Sequence, residues 1–228
     1  LASIGQLASG VAHEINNPLG VIHCYANLIA KSQPADSQIL NDARIIRKHT
    51  DQCRSVVEAL LNFSRAAEPR MKPTDIQVCA DEVISVLGMQ LQKNRITIER
   101  EFDPILPRIT VDGNKIKQVL MNLLINASQA MPDGGRITVN MGPAGDGRHM
   151  AIAITDMGQG IAPENIPKIF DPFFTTKGPE KGTGLGLSVS YGIVQQHGGS
   201  IGVSSTPGRG ATFTVLLPLD RRPSDNAA

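Results

Sequence analysis

In the run Ala12-His13-Glu14-Ile15-Asn16-Asn17-Pro18-Leu19, a histidine is followed at once by a carboxylate and, four residues on, by an amide. That trio combines a nucleophilic ring nitrogen, a group able to take its proton and a group able to position a water molecule. Ile4, Leu7, Val11, Ile15, Ile22, Tyr25 and Ile29 recur at spacings of three, four and seven, so the run sits on an amphipathic helix with His13 off the apolar stripe. On such a helix Asn17 shares the face of His13, while Glu14 lies about 100° round and reaches sideways. Pro18 should kink or loosen the helix one turn past the histidine. A lone helical histidine is most often a solvated residue. His23, His49, His149 and His197 have no comparable neighbours and read as surface or packing residues.

Four further stretches carry chemistry of another kind. Asn122 and Asn126 lie four apart on an otherwise apolar helix, hence on one face. A neutral amide oxygen suits Mg²⁺, which keeps several waters and takes other ligands from nucleotide phosphates; both asparagines could equally cap or line a loop. Asp156-Met157-Gly158-Gln159-Gly160 ends an apolar strand, where the glycines allow close backbone approach to a flat ligand and the carboxylate can accept from an adenine amino group; a plain turn would use the same residues. Phe170, Phe173 and Phe174 cluster beside a loop rich in Gly, Pro and Lys, suiting a lid with an aromatic base from which Lys177 reaches a γ-phosphate, while Lys181 reads equally as a solvated loop residue. Gly182-Thr183-Gly184-Leu185-Gly186 opens into a helix, whose free amides and positive dipole end bind phosphates. That loop is neither a Walker A motif nor a Rossmann fingerprint.

These residues need two kinds of support. The first helix should run from near residue 1 to about Lys31, and a second from about Ser37 to Ala67 carries Ile39, Ala43, Ile46, Cys53, Val57 and Leu60. Two helices cannot bury two apolar stripes alone, so residues 1–67 are expected to form a homodimeric four-helix bundle, with an arm folded back on the second domain as the alternative. Residues 68–73, with Pro69 and Pro73, read as a linker. Residues 74–219 then mix elements without βαβ alternation. Ile76-Gln77-Val78 reads as a short alternating segment before a helix from Cys79 to Gln92, and strands follow at 96–102 and 108–111. Asp112 caps a helix to about Met131; strands from Gly135 and Met150, a helix from Gly186 to His197 and a hairpin of 201–205 with 211–217 complete the pattern. The expected fold is an α+β sandwich of one mixed sheet covered by helices, with residues 220–228 a disordered tail.

The chain has 228 residues, 41% of them hydrophobic, and a net charge of +1. That balance gives no argument for nucleic acid or an anionic membrane surface. Cys24, Cys53 and Cys79 are odd in number and lack metal-type spacing, fitting reduced thiols in a cytoplasmic protein. No apolar run is long enough to span a membrane, so no membrane contact is expected within this stretch. The sequence begins mid-helix, as an excised fragment would, and its parent could be membrane-anchored or sensory upstream.

The run His13-Glu14-Ile15-Asn16-Asn17-Pro18-Leu19 resembles the phosphoacceptor box of bacterial sensor histidine kinases, especially the nitrogen-regulation and C4-dicarboxylate sensor group. The four later stretches, in order, resemble the asparagine, first-glycine, phenylalanine and second-glycine boxes of the histidine-kinase ATP domain, whose superfamily also holds type II topoisomerases, Hsp90 and mismatch-repair ATPases. The resemblance implies a Bergerat fold, ATP and Mg²⁺ as cofactors, Mg²⁺ coordination by Asn126 supported by Asn122, adenine recognition by Asp156, and lid or phosphate contacts from Gly158, Gly160, Lys177, Gly184 and Gly186. It further implies autophosphorylation of His13, transfer to an aspartate of a separate response regulator receiver domain, and dephosphorylation of that regulator with Asn17 responsible. Gln129 departs from the pattern where many osmosensor-type kinases carry a basic residue, leaving more charge to Lys177 and Mg²⁺. Two rivals are an ATP-gated dimeric switch that does not phosphorylate itself and a serine kinase of the same ATP fold, which would not need the helical arm.

Overall fold

The computed structural model describes residues 2–34, 37–64, 68–177 and 183–219, without side chains for 2–14, 52, 54–56 and 58–64. The expected tail thus lies outside the described residues. The chain divides into two compact units, Leu1–Ala67 with Phe173–Gly186, and Glu68–Pro172 with Leu187–Ala228.

In the first unit, helix α1 (Ala2–Ser32) and helix α2 (Gln38–Ser64) form a hairpin. Pro18 lies inside α1 without ending it. The apolar residues expected to form a single stripe on α2 share one face but are unequally buried. Ala43 and Val57 are buried with Ala26, Leu40 and Thr50, whereas Ile39 and Ile46 remain about half exposed. On α1 the small Ala26 makes the close contact, and Ile15, Val21, Ile22, Tyr25, Leu28 and Ile29 stay open. His23 Nδ1 of α1 lies 3.1 Å from Asp51 Oδ1 of α2.

The second unit begins with β1 (Lys72–Thr74), which starts inside the stretch expected to be linker and pairs antiparallel with β3 (Ile109–Val111). Helix α3 (Ile76–Lys93) takes in Ile76-Gln77-Val78, which is therefore not a strand. Asp75 decides this: its side chain accepts from Val78 N and opens the helix three residues earlier than the apolar alternation suggested. β2 (Ile96–Phe102), helix α4 (Gly113–Gln129), β4 (Gly135–Pro143), β5 (His149–Asp156), helix α5 (Gly186–Gln196), β6 (Ser200–Ser205) and β7 (Ala211–Pro218) follow, with a 3₁₀ turn at Ile166–Lys168. Gly142 and Pro143 are the last two residues of β4.

Five strands form a mixed sheet in the order β2-β4-β5-β7-β6, parallel between β2 and β4 and antiparallel elsewhere. β1 and β3 make a separate two-stranded sheet, so the expected single sheet is two. Alternation along β5 buries Met150, Ile152, Ile154 and Asp156 on one side, with Ile137, Val139 and Met141 of β4 and Phe213, Val215 and Leu217 of β7 also buried. Helices α3, α4 and α5 supply the opposing apolar faces, including Leu87, Leu120, Leu123, Leu124, Ile193 and Val194. Each such side chain contributes about 1.5–3 kcal/mol by leaving water, and together they hold α4 and the end of β5 in a fixed relation. The fold is the α+β sandwich of the Bergerat type.

Candidate functional site

Asn122, Asn126 and Ala130 follow one another at intervals of four along α4 and its C-cap, and so share a face. That face meets the loop after β5: Gln159 N donates to Ala130 O at 3.3 Å. Asp156, the last residue of β5, is 4% exposed, and its Oδ1 accepts from Gly158 N at 2.8 Å and from Ala211 N at 3.3 Å. The carboxylate is therefore fixed by backbone donors in a buried setting, while both asparagines are half-buried. Asn122 Nδ2 also donates to Ser190 Oγ at 3.3 Å, joining α4 to α5.

The glycines of this loop answer to protein backbone. A Cβ on Gly158 would stand 2.6 Å from Ala130 O, and one on Gly160, whose φ is +71°, would stand 2.3 Å from Thr206 O. The loop is thus clamped between the end of α4 and the β6–β7 turn, where Gly208 N donates to Gln159 O at 2.8 Å and Ile161 N to Ser205 Oγ at 2.9 Å. Ser205, Thr206 and Gly210 were not recognised from sequence as part of the site. Gly210 has φ +81° and packs its Cα side against Asp156 O; the turn cluster Pro207-Gly208-Arg209-Gly210 was the available signal.

A separate cluster fixes the opposite end of α4. Asp112 Oδ1 caps the helix by accepting from Asn114 N at 3.0 Å and Lys115 N at 3.3 Å, and Oδ2 accepts from Arg70 N at 2.9 Å. Burial alone would raise the Asp112 pKa, but these backbone donors, with Arg70 first, outweigh it and hold the carboxyl below its ordinary value. The Asp112 N–H donates to Nε2 of the buried His197 at 3.0 Å, and His197 Nδ1 pairs with Ile193 O at 2.7 Å. The neutral ring with its proton on Nδ1 satisfies both contacts, so His197 is a packing residue.

In the first unit, Phe173 has φ +68° and is 57% exposed, so it does not form the packed aromatic base expected of a lid. Phe173 N donates to Gly184 O at 3.0 Å, and Gly184 needs its φ of +66° because a Cβ would meet Phe173 backbone at 2.4 Å. Lys177 is half-buried, with its N–H on Thr175 Oγ1 at 3.1 Å. Phe170 packs instead on Tyr191, ring centroids 5.6 Å apart. Gly186 opens α5, and Lys181 and Gly182 lie outside the described residues. Backbone at His13 and Glu14 is helical; Asn17, one turn on, is exposed.

Residues 3–69 match the model of the His Kinase A (phospho-acceptor) domain, and residues 111–221 match that of the histidine kinase-, DNA gyrase B- and HSP90-like ATPases. The chain belongs to the sensor histidine kinase family. It is 38% identical over 225 residues to the sensor histidine kinase ZraS of Klebsiella oxytoca, across 99% of this chain and 48% of that one. Full-length ShkA, solved in complex with AMPPNP, is similar with a TM-score of 0.79 and 26% identity, covering 95% of this chain and 46% of ShkA. The histidine kinase ThkA, solved in complex with the response regulator protein TrrA, is similar with a TM-score of 0.70 and 27% identity, covering 95% of this chain and 62% of ThkA. The chain spans about half the length of the curated histidine kinases it matches. Within this histidine kinase, the asparagine face of α4 and the Asp156 loop form one constellation joined at Ala130. None of its described helices is long and apolar enough to cross a membrane.

Proposed function

We propose that the chain is the cytoplasmic catalytic core of a homodimeric sensor kinase that phosphorylates His13 from ATP and passes the phosphoryl group to an aspartate of a response regulator. The observation that carries this reading is the coexistence of a phosphoacceptor-type helical hairpin and an ATPase-type sandwich in one chain, the sandwich carrying Asn122 and Asn126 on one face of α4 and Asp156 at the end of β5. The ATP and AMPPNP chemistry of the relatives suits these residues. Asp156 offers a buried anionic acceptor for an adenine amino group, with the close backbone of Gly158 and Gly160 beside it. Lys177, Gly184 and Gly186 belong to the loop whose cation and helix-start amides would serve the phosphates.

Asn126, supported by Asn122, would hold Mg²⁺, which when bound draws charge from the transferring phosphate. A neutral amide ligand fits such an ion, and among the described residues no three His, Cys, Asp or Glu side chains gather as an alternative. In the transfer, a His13 ring nitrogen forms the new N–P bond as the P–O bond to ADP breaks; Glu14 orients the ring and takes its proton. Asn17, exposed on the His13 face, would position water against a docked regulator acyl phosphate.

Incubation with γ-labelled ATP tests the reading. Label on His13 is expected to be acid-labile and base-stable, to vanish in His13→Gln, and to form more slowly in Glu14→Gln with ATP binding intact. Acid-stable label would replace it with the serine-kinase rival. Asn17→Ala should keep kinase activity while dephosphorylation of the regulator falls; equal loss of both, with a lower melting temperature, would leave Asn17 a structural role.

A further inference from the structure

Arg70 lies between the helical hairpin and β1, and its N–H donates to a side chain of the sandwich, Asp112 Oδ2, at 2.9 Å. The same carboxylate caps α4 through Oδ1, and the Asp112 N–H is held by His197, which in turn is bonded to the last turn of α5. One residue thus ties the incoming chain to both helices that carry the proposed nucleotide groups. It does so far from those groups, since Asn122 and Asn126 lie ten and fourteen residues along α4 from Asp112, about 15 and 21 Å at helical rise.

Building on the kinase reading above, we propose that Asp112 is a positioning residue for autophosphorylation, its carboxylate pinning the interdomain tether at Arg70 to the N-terminus of α4. Phosphoryl transfer to His13 requires the nucleotide unit to present its phosphate at the end of a covalent tether. The rate then depends on how long and how directed that tether is. With the Arg70 bond in place, the pinned point is Arg70; without it the next is β1 at Lys72, and two more residues join the free tether. The three donors on the carboxylate keep it ionised and committed to the cap and the tether together.

The local backbone allows the bond to be removed alone. Met71 N donates to Pro69 O at 3.0 Å, an i to i+2 turn centred on Arg70, and Arg70 is not among the residues with positive φ. This is an inverse γ-turn with φ near −75°, which proline adopts while lacking the N–H. Arg70→Pro therefore deletes the donor, and Arg70→Ala keeps it while deleting the side chain. Asp112→Asn keeps an oxygen to cap α4 and puts an amide donor where Oδ2 accepted.

In the full chain, Arg70→Pro and Asp112→Asn are expected to lower the label transferred to His13 at saturating ATP by roughly tenfold, with the KM for ATP unchanged in both and the melting temperature lowered only in Asp112→Asn, which loses the carboxylate's charge, and Arg70→Ala to match the parent. Parent-like rates in both Arg70→Pro and Asp112→Asn would overturn the proposal. So would parallel losses of ATP affinity and melting temperature, which would make the contact merely structural. A parent chain that binds ATP yet yields no acid-labile label would overturn the kinase reading itself, and with it this proposal.

Discussion

Asp156 combines two tasks in one side chain, since Oδ1 organises the loop through Gly158 and Ala211 while the carboxylate supplies negative charge in a buried site. The two can be separated by Asp156→Asn, whose amide oxygen can keep the loop bonds while its NH₂ opposes the donor an adenine would offer. ATP affinity should fall by about 1.5–3 kcal/mol, the range for a charged hydrogen bond, with little change in melting temperature. Calorimetry giving parent affinity would remove Asp156 from adenine recognition. Asp156, Asn122 and Asn126 could be singled out as candidates in the sequence because a carboxylate at a strand end and two amides on an apolar helix need polar partners. Gly210 and Ser205 were not, because their task is to meet backbone from a distant part of the chain: Ser205 Oγ receives Ile161 N and gives its proton to Gly210 O at 2.7 Å. Gly158 and Gly160 were recognised as special, yet what the structure shows against them is protein backbone.

At the scale of elements, periodicity located the long helices and the sheet strands, with β2 at its expected limits. It misplaced the start of α3, where a single cap at Asp75 outweighed three alternating residues, and it passed over β1, whose Pro73 and brevity resemble a linker until the partner strand β3 is known. It also could not tell which residues of the α2 stripe the hairpin itself buries. Packing within the hairpin uses Ala43 and Val57, leaving Ile39 and Ile46 open beside the open α1 residues Ile15, Ile22, Tyr25 and Ile29. So much apolar surface on two neighbouring helices calls for a second copy to cover it. Ile46→Asp should therefore convert the full chain from dimer to monomer at micromolar concentration, seen by sedimentation. Ile46 is about half exposed in the hairpin, so helicity should fall little. A parent chain that sediments as a monomer would remove the bundle, and an undisturbed dimer in Ile46→Asp would move the interface off this stripe.

For the whole molecule, the division into two compact units has a thermodynamic consequence. Each unit has its own buried residues: Ala26, Leu40, Ala43 and Val57 in the hairpin, and the much larger set around α4 and β5 in the sandwich. With Ile22, Tyr25, Leu28, Ile39 and Ile46 open on the hairpin and a second copy proposed to cover them, its unfolding should depend on chain concentration, whereas the sandwich should respond to ligand. Calorimetric scans should accordingly show two transitions. Raising the chain concentration tenfold should shift the hairpin's transition upward and leave the other in place. Adding MgATP at a hundred times its dissociation constant should stabilise the sandwich by about 2.7 kcal/mol while moving the hairpin's transition far less. At the same MgATP concentration Asp156→Asn should reduce that stabilisation to about 0.3–1.3 kcal/mol, and Ile46→Asp should remove the concentration dependence, each without the other's effect. A single transition moved equally by concentration and by nucleotide would mean that the two units unfold as one cooperative body, and the pinned tether at Arg70 could not then act as a joint between independently stable parts.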